Sequence, residues 1–321
     1  MKAVNLAITV VSTAFLLTFT GTSRSAEPTA ATLKREELMP LVFPGWTMPG
    51  APDSNRTSHS PRTPLSSLGD VVPAIEHDLG EESESIEPHP LHVIRLDSDH
   101  AVLITQSDLY DADNEWICGH YAGCAVVIGA YFFGSTVDGW KLTKRVDDIA
   151  VDYNFADAGI HKWPGHGFLL SINSKTSAQG GSRKDVGFVL LQPDRAILAH
   201  ERSIGIAGDN DGGQTAYEIH DPETQQLSME DSGCAEFMQS SFNSPKGATF
   251  DASSVDVCTQ TRGTWHIEQD TIRLTYRILR RGIGPRGELQ GINETTVIVD
   301  LGIRDGELKI IAGIPPEIST T

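Results

Sequence analysis

Basic residues are scarce in this chain of 321 residues, which has 25 lysines and arginines against 43 aspartates and glutamates and a formal net charge of −18. A surface with this excess of negative charge repels nucleic acid and anionic lipid, so it excludes functions that depend on binding either of them. The same charge favours solubility and cationic partners. We therefore expect no nucleic-acid partner.

Several motifs that carry chemistry are absent as well. The sequence has no Cys-x-x-Cys pair, no His-Glu-x-x-His motif and no Gly-x-Ser-x-Gly elbow, which removes common signatures of thiol redox proteins, zinc proteases and α/β-hydrolases. Residues 282–287 contain Gly-x-Gly-x-x-Gly, but Pro285 interrupts this loop and the strand-like run TTVIVDL follows it. The dinucleotide fingerprint needs a helix at that place, so we do not assign it here.

The amino terminus has the layout of a secretory signal peptide. A positive start at Lys2 precedes an apolar stretch from Leu6 to Phe19, and small residues follow. This stretch of about 14 residues is shorter than the roughly 20 needed to span a bilayer. Cleavage after Ser23 or Ser25 fits the preference for small side chains before the cut. We expect residues 1–25 to be removed, leaving a soluble periplasmic or secreted protein without a membrane span.

Export would place the four cysteines in an oxidising compartment, where disulfides are the default. Four cysteines allow three pairings, and the simplest joins Cys118 to Cys124 and Cys234 to Cys258. The five residues between the first two are Gly-His-Tyr-Ala-Gly, and glycines accept the positive φ angles of tight hairpin loops. We expect the first disulfide to close a hairpin. The second closes a longer loop and should stabilise by on the order of 3 kcal/mol.

The composition changes once along the chain. Residues 26–88 are rich in proline, serine and acidic residues and have little to bury, so they are predicted to form a mostly disordered linker. A short helix is expected near Leu33–Leu38, ending at Pro40. From His89 onward, short runs rich in Val, Ile, Leu and Phe alternate with polar or glycine-containing turns, which is typical of strands.

Residues 89–316 are therefore predicted to form an all-β antiparallel domain, either a sandwich or a barrel-like fold, followed by a tail at 317–321. No long helical period occurs after residue 90, and Asp305-Gly306 predicts a hairpin turn. The clearest strand has apolar and polar residues in strict alternation, as in a half-solvated antiparallel strand. Its apolar positions are Ile272, Leu274, Tyr276 and Ile278, and the polar positions between them are Arg273, Thr275 and Arg277.

The block CGHYAGCAVVIGAYFFGSTVDGWKL at 118–142 resembles a segment of uncharacterised exported bacterial proteins. In those proteins a cysteine-bearing turn precedes an apolar strand and a Gly-Trp pair. The resemblance covers about Asp108 to Asp194, with a weaker echo at Gly233-Cys234. The relatives carry their cysteines closer together, so the five-residue spacing here departs from the pattern. The resemblance implies export and a β-fold, and it implies no activity.

Two acidic stretches are candidate calcium sites. Calcium binds six to eight oxygens, which alternating acids in a glycine-rich loop can supply. Neither stretch fits the EF-hand pattern, because the first lacks the glycine at the sixth place and the second lacks the glutamate at the twelfth. Solvated turns are therefore the favoured interpretation, no cofactor is expected, and calcium is the alternative. The candidate ligands are Asp108, Asp111 and Asp113 in DLYDADNEW and Asp209 and Asp211 in AGDNDGG.

Histidines and arginines supply the remaining candidates. Zinc accepts three histidines with an open fourth position, but these histidines lie in loop-like sequence, which favours surface or turn positions. Arginine side chains bind carboxylates and phosphates bidentately, so an arginine cluster could contact an anionic ligand or partner; pairing with the chain's own acids is the favoured alternative. The histidines are His89, His92, His100, His161 and His166, and the arginines are Arg277, Arg280, Arg281 and Arg286.

Two functions remain. The favoured one is an exported, non-catalytic protein of the bacterial envelope that binds a partner protein, an envelope component or a small ligand. The alternative is a metal-assisted hydrolase in the periplasm or outside the cell, which would need the histidines and acids to converge. The sequence names no catalytic residue, so it favours the binding protein.

Overall fold

A computed structural model describes residues 28–47, 62–65, 84–113, 115–117, 126–152, 155–178, 181–200, 203–209, 215–220, 227–232, 258–282, 291–316 and 318. These residues form mostly strands, in two antiparallel sheets of which one is a curled half-barrel, with a single short helix among them. The predicted all-β antiparallel fold is confirmed. In the part of the chain described here, no helix is long and apolar enough to cross a membrane.

The first sheet has five strands in the order β1-β2-β3-β4-β5, and every neighbouring pair is antiparallel. Bulges shift the register once between β2 and β3 and twice between β4 and β5, which increases the local twist of the sheet. The strands are β1 (Thr63–Pro64), β2 (Ser85–Arg95), β3 (His100–Tyr110), β4 (Val126–Thr136) and β5 (Gly139–Asp152).

The second sheet follows along the chain. Its strands, with one separate hairpin, are β6 (Phe155–Trp163), β7 (Gly167–Ala178), β8 (Gly181–Gln192), β9 (Arg195–Leu198), β10 (Ile204–Asp209), β11 (Thr215–His220), β12 (Leu227–Ser232), β13 (Cys258–Glu268), β14 (Thr271–Arg281), β15 (Asn293–Arg304) and β16 (Glu307–Ala312). The order is β16-β15-β14-β13-β10-β8-β7-β6, with β9 also paired to β8. Strands β11 and β12 pair only with each other.

The described residues form three buried clusters, two of which follow from this arrangement of the strands. Between the sheets, Val102 and Phe132 of the first sheet and Val189 of β8 belong to one buried cluster. Inside the half-barrel, Phe188 of β8 and Tyr276 of β14 belong to another. Because successive side chains of a strand point to opposite faces, β8 contributes to both cores and is covered on both sides.

The sequence pattern of β14 is confirmed. Its four predicted apolar side chains are buried in the half-barrel, while the polar side chains between them lie on the other face. The predicted turn at Asp305-Gly306 connects β15 to β16, with φ angles of 59° and 80°. Two successive positive φ angles are the requirement of a tight hairpin turn, which Asp and Gly meet readily.

Helix α1 (Arg35–Val42) packs on the outer face of the first sheet. Its Leu38 is fully buried, and the Val42 carbonyl accepts a hydrogen bond from Arg145 Nη1 at 3.1 Å. The prediction that the helix ends at Pro40 is wrong, since the helix continues to Val42. An internal proline costs about 3 kcal/mol, which is offset by burial of large apolar side chains at about 1.5–3 kcal/mol each.

The segment before α1 pairs with the edge strand β5. Ala30 and Trp140 exchange both backbone hydrogen bonds, at 2.9 and 2.7 Å, and Thr29 Oγ1 donates to the Asp138 carbonyl at 3.1 Å. Gly139 has a φ of 122°, and a Cβ atom there would lie 2.3 Å from the Ala30 oxygen. Only glycine allows this approach, which gives the Gly-Trp pair a structural role.

Several residues that composition assigned to the linker or the tail take part in the fold. Residues 28–47 cover the first sheet, and residues 84–88 begin β2 or directly precede it. From the predicted tail, Ile318 joins the half-barrel core, and its carbonyl accepts a hydrogen bond from Arg183 Nη1 at 3.0 Å. Averaging the composition over a long range hides short clusters of apolar residues. The composition of residues 26–88 therefore did not predict that some of them are part of the fold.

Candidate functional site

Charged residues of β2, of β3 and of the segment directly before β1 meet at one end of the first sheet. Glu87 of β2 and Asp108 of β3 are direct cross-strand partners, so their side chains lie on the same face and close together. Thr63 of β1 pairs with Ile86, and continuing this antiparallel register places Arg62 opposite Glu87. Arg62, which directly precedes β1, thus lies in one row with Glu87 and Asp108.

A histidine and a tyrosine complete this group, which we call the β2–β3 cluster (Arg62, Glu87, His89, Asp108 and Tyr110). Tyr110 Oη donates a hydrogen bond to Glu87 Oε2 at 3.1 Å. His89 Nε2 lies 3.4 Å from Asp108 Oδ2 and 3.8 Å from Glu87 Oε1. The guanidinium carbon of Arg62 lies 3.6 Å from the centroid of the Tyr110 ring, which is a cation–π contact.

The two carboxylates are poorly hydrated. The Glu87 side chain is 4% exposed and that of Asp108 is 17% exposed, whereas His89 is 36% exposed. Within the described residues, Asp108 Oδ1 is buried and accepts no hydrogen bond. A buried carboxylate is costly unless cations or donors surround it. The cluster therefore favours positive charge, which this chain supplies through Arg62 and, when it is protonated, His89.

The electrostatic environment of the cluster shifts the pKa values of two of its groups, His89 and Tyr110. The interaction with Asp108 raises the pKa of His89 above its usual value, against the effect of burial, and the charge of Glu87 adds to the rise. Burial and the negative charge of Glu87 raise the pKa of Tyr110 to about 12. Tyr110 is therefore a neutral hydroxyl at neutral pH and remains a donor to Glu87.

The local sequence explains why the cluster lies at a sheet edge. Strand β1 has only two residues and covers only Ser85 and Ile86 of β2. Pro88 and Pro90 follow within β2, and prolines are tolerated in a strand where its edge is not paired. Trp46 Nε1 donates to the Pro88 carbonyl at 3.1 Å, which fixes the strand. The cluster thus lies where solvent reaches it through the partly exposed His89.

The predicted calcium ligands do not come together within the described residues. Asp108 lies in the β2–β3 cluster, while Asp111 Oδ1 accepts the Glu115 backbone N–H at 2.7 Å in a turn and Asp113 is exposed. The backbone of Asp209 lies on β10, and Asp211 is outside the described residues. Across the described part of the chain, no three His, Cys, Asp or Glu side chains are placed to hold a metal ion.

The histidines proposed as zinc ligands are also separated. His89 belongs to the β2–β3 cluster, and each of the others contacts a different group. His92 Nε2 donates to the Ala158 carbonyl at 3.0 Å, His100 Nδ1 lies 2.9 Å from Asp97 Oδ1, His161 Nε2 lies 3.1 Å from Ser171 Oγ, and His166 Nε2 lies 3.2 Å from Asp270 Oδ1.

The serine–histidine contact in the half-barrel resembles part of a hydrolytic site, but its serine is inaccessible. Ser171 is 1% exposed, and its hydroxyl also lies 3.4 Å from the Gly159 carbonyl, to which it donates. Burial lowers the pKa of His161, and the His161 ring packs against Trp265 with centroids 4.7 Å apart. A hydroxyl this deeply buried satisfies hydrogen bonds inside the fold, so we assign it no catalytic role.

The predicted arginine cluster is partly neutralised by the chain itself. Arg277 forms two hydrogen bonds of 2.7 Å with the Glu294 carboxylate, which is the bidentate geometry that arginine prefers. Arg280 is exposed near the end of β14, beside Arg281. Arg286 lies outside the described residues. The structure thus leaves the proposed anion contact of Arg280, Arg281 and Arg286 as a prediction.

The cysteines fall largely outside the described residues, namely Cys118, Cys124 and Cys234. The backbone of Cys258 begins β13 opposite Arg281. The two predicted disulfides therefore stay predictions.

Sequence reasoning missed Arg62, Glu87 and Tyr110 as site residues. One signal was present, because Glu87 and His89 are two residues apart, as are Asp108 and Tyr110, and a period of two places such residues on one face of a strand. Comparisons of the chain with protein-family models, curated proteins and solved structures found no match.

Proposed function

We propose that the protein is an exported, non-catalytic binding protein of the bacterial envelope, and that the β2–β3 cluster binds a cationic group of its partner. The observation that carries this proposal is the cross-strand pair of Glu87 and Asp108, two carboxylates with little access to water. Such a pair gains from a cation that brings its own hydrogen-bond donors. The net charge of −18 would also attract a basic partner over longer distances.

The alternative, metal-assisted hydrolysis, requires histidines and acids that converge on one point. Within the described residues these side chains have separate partners, and the buried Ser171 offers no accessible nucleophile. No contact described above favours this alternative over binding.

The proposal is tested by titrating the protein with a cationic peptide, hexa-arginine, in a calorimeter at low salt. The double variant Glu87→Gln/Asp108→Asn keeps the side-chain sizes and removes both charges. We expect it to bind at least tenfold more weakly, because a hydrogen bond to a charged group contributes about 1.5–3 kcal/mol and about 1.4 kcal/mol corresponds to a factor of ten. Circular dichroism checks that the variant is folded.

The matched control removes two acids elsewhere. Asp113 is exposed in a turn and the Glu307 side chain is 64% exposed, so Asp113→Asn/Glu307→Gln changes the net charge equally and leaves the cluster intact. We expect this control to bind nearly as well as the wild type. An equal loss in both variants would mean that only net charge matters, and no binding by the wild type would contradict the proposal itself.

A further inference from the structure

We infer that the β2–β3 cluster is a guanidinium site and that Arg62 of the same chain occupies it until a partner's arginine displaces it. This inference rests on the proposed function and names the chemical class of the ligand. Its starting point is the place of Arg62, whose guanidinium carbon lies 3.6 Å from the centroid of the Tyr110 ring. The same ring carries the hydroxyl that donates to Glu87.

The chemistry of the cluster matches a guanidinium better than other cations. A guanidinium is planar and weakly hydrated, stacks on aromatic rings, and offers a fork of donors to carboxylates. The cluster presents a ring face beside two carboxylates, which meets both requirements. A lysine ammonium has no plane to stack and is strongly hydrated. A calcium ion takes six to eight oxygen ligands, and in the described part of the chain no three His, Cys, Asp or Glu side chains are placed to hold a metal ion.

The attachment of Arg62 is short. It directly precedes β1, which pairs with β2 only through Thr63 opposite Ile86 and Pro64 opposite Ser85, and Leu65 N donates to the Glu84 carbonyl at 2.9 Å. For Arg62 to leave, its stacking on Tyr110 has to break, and the short pairing of β1 beside it has to loosen. The pairing of β1 shows that this edge of β2 accepts an extended segment, and continuing its register places Arg62 opposite Glu87. An arginine in an extended segment of a partner can take the same place.

An occupant from the same chain lowers the apparent affinity for an added ligand by the fraction of molecules whose site is open. If Arg62 occupies the site about nine-tenths of the time, its removal should strengthen ligand binding about tenfold. The test compares the wild type with Arg62→Ala in calorimetric titrations with N-acetyl-arginine amide and with N-acetyl-lysine amide. Arg304→Ala is the control, because Arg304 is exposed at the end of β15, away from the cluster.

We expect Arg62→Ala to bind the arginine probe about tenfold more tightly than the wild type and more tightly than the lysine probe. Arg304→Ala should match the wild type. If Arg62→Ala and the wild type bind the arginine probe equally, or if Arg62→Ala binds both probes equally, the inference is wrong. The proposed function still stands in either case, provided that hexa-arginine binding depends on Glu87 and Asp108.

Folding of the variants is part of the test. Arg62→Gln keeps a long polar side chain and is measured beside Arg62→Ala, with circular dichroism on both. If both variants unfold, Arg62 is a structural ion partner rather than a displaceable occupant, and the inference fails. If neither the wild type nor the variants bind hexa-arginine or the arginine probe, the proposed function fails together with the inference.

Discussion

Gly139 offers the sharpest test of how the amino-terminal segment is attached to the first sheet. A Cβ atom at this position would lie 2.3 Å from the Ala30 carbonyl oxygen, and the backbone φ of 122° is strained for any residue with a side chain. In Gly139→Ala the segment around Ala30 must therefore move away from β5. The two hydrogen bonds between Ala30 and Trp140, at 2.9 and 2.7 Å, should be lost.

The expected destabilisation has two parts. Each lost backbone hydrogen bond contributes about 0.5–1.5 kcal/mol, so the two together account for about 1–3 kcal/mol. Holding alanine at a positive φ adds about 1–3 kcal/mol. We therefore expect the free energy of unfolding of Gly139→Ala to fall by about 2–6 kcal/mol, as measured by urea denaturation.

Substitutions at two other glycines separate the effect of backbone strain from the effect of a steric clash. Gly165 has a φ of 82° and nothing within 4 Å of its Cβ position, whereas Gly263 has no positive φ but a Cβ position 2.4 Å from the Ile206 oxygen. Gly165→Ala should show the backbone strain alone, and Gly263→Ala the steric clash alone. Hydrogen exchange should then rise at the Ala30 and Trp140 amides only in Gly139→Ala. If Gly139→Ala is no less stable than Gly165→Ala and these amides stay protected, the proposed attachment is refuted.

Three further predictions concern other parts of the chain. Mass mapping of non-reduced peptides should find each of the two predicted local disulfides, and free thiols or crossed pairs would contradict them. Trp163→Phe should lower the free energy of unfolding by about 1–3 kcal/mol, because Trp163 is fully buried and its Nε1 donates to the Gln269 carbonyl at 2.8 Å. The raised pKa of His89 predicts a stabilisation that is fully present below its ordinary value of 6.5 and is lost as the pH rises through the folded value. Thermal melts of His89→Gln between about pH 5 and 9 should lack this loss, and an unchanged pH profile would contradict the prediction.

The strands that could be predicted are those with one face in a core and the other in solvent. The alternation around Tyr276 was readable because the half-barrel covers one face of β14 while charged residues such as Arg277 occupy the other. The turn at Asp305-Gly306 was readable because its two positive φ angles restrict the residues that fit. In both places, local sequence and tertiary structure require the same residues.

Strand β2 and the end of helix α1 could not be predicted from the same patterns. Pro88 and Pro90 indicate a turn or a linker, but β2 lies at a sheet edge where missing backbone donors cost little. Pro40 indicates the end of a helix, yet burial against the first sheet overrides this local preference. Each of these outcomes depends on a neighbour that is distant in sequence, so a local pattern carries no information about it.

The candidate site could be predicted only in part from the sequence, for the same reason. Asp108 is one of the candidate calcium ligands in the sequence, and its cross-strand partner Glu87 lies 21 residues earlier, joined to it by the register of β2 and β3. A bulge between Pro90 and His92 contributes to that register. Without knowledge of this register, the sequence does not show that Glu87 and Asp108 are neighbours. Arg62 is then only one basic residue in a proline-rich stretch.

The range that composition assigns to a linker covers both edges of the first sheet. Ala30 pairs with β5, α1 crosses the outer face, the Trp46 side chain reaches the Pro88 carbonyl of β2, and β1 then pairs with β2. Covered edges protect a sheet from pairing with other chains. The two attachments differ in size, since α1 buries several large apolar side chains against the first sheet, whereas residues 62–65 contribute the two-residue pairing of β1, the Leu65–Glu84 backbone hydrogen bond, the partly buried Leu65 side chain and the Arg62–Tyr110 contact. A partner that opens this sheet should therefore act at β1, which is where Arg62 lies.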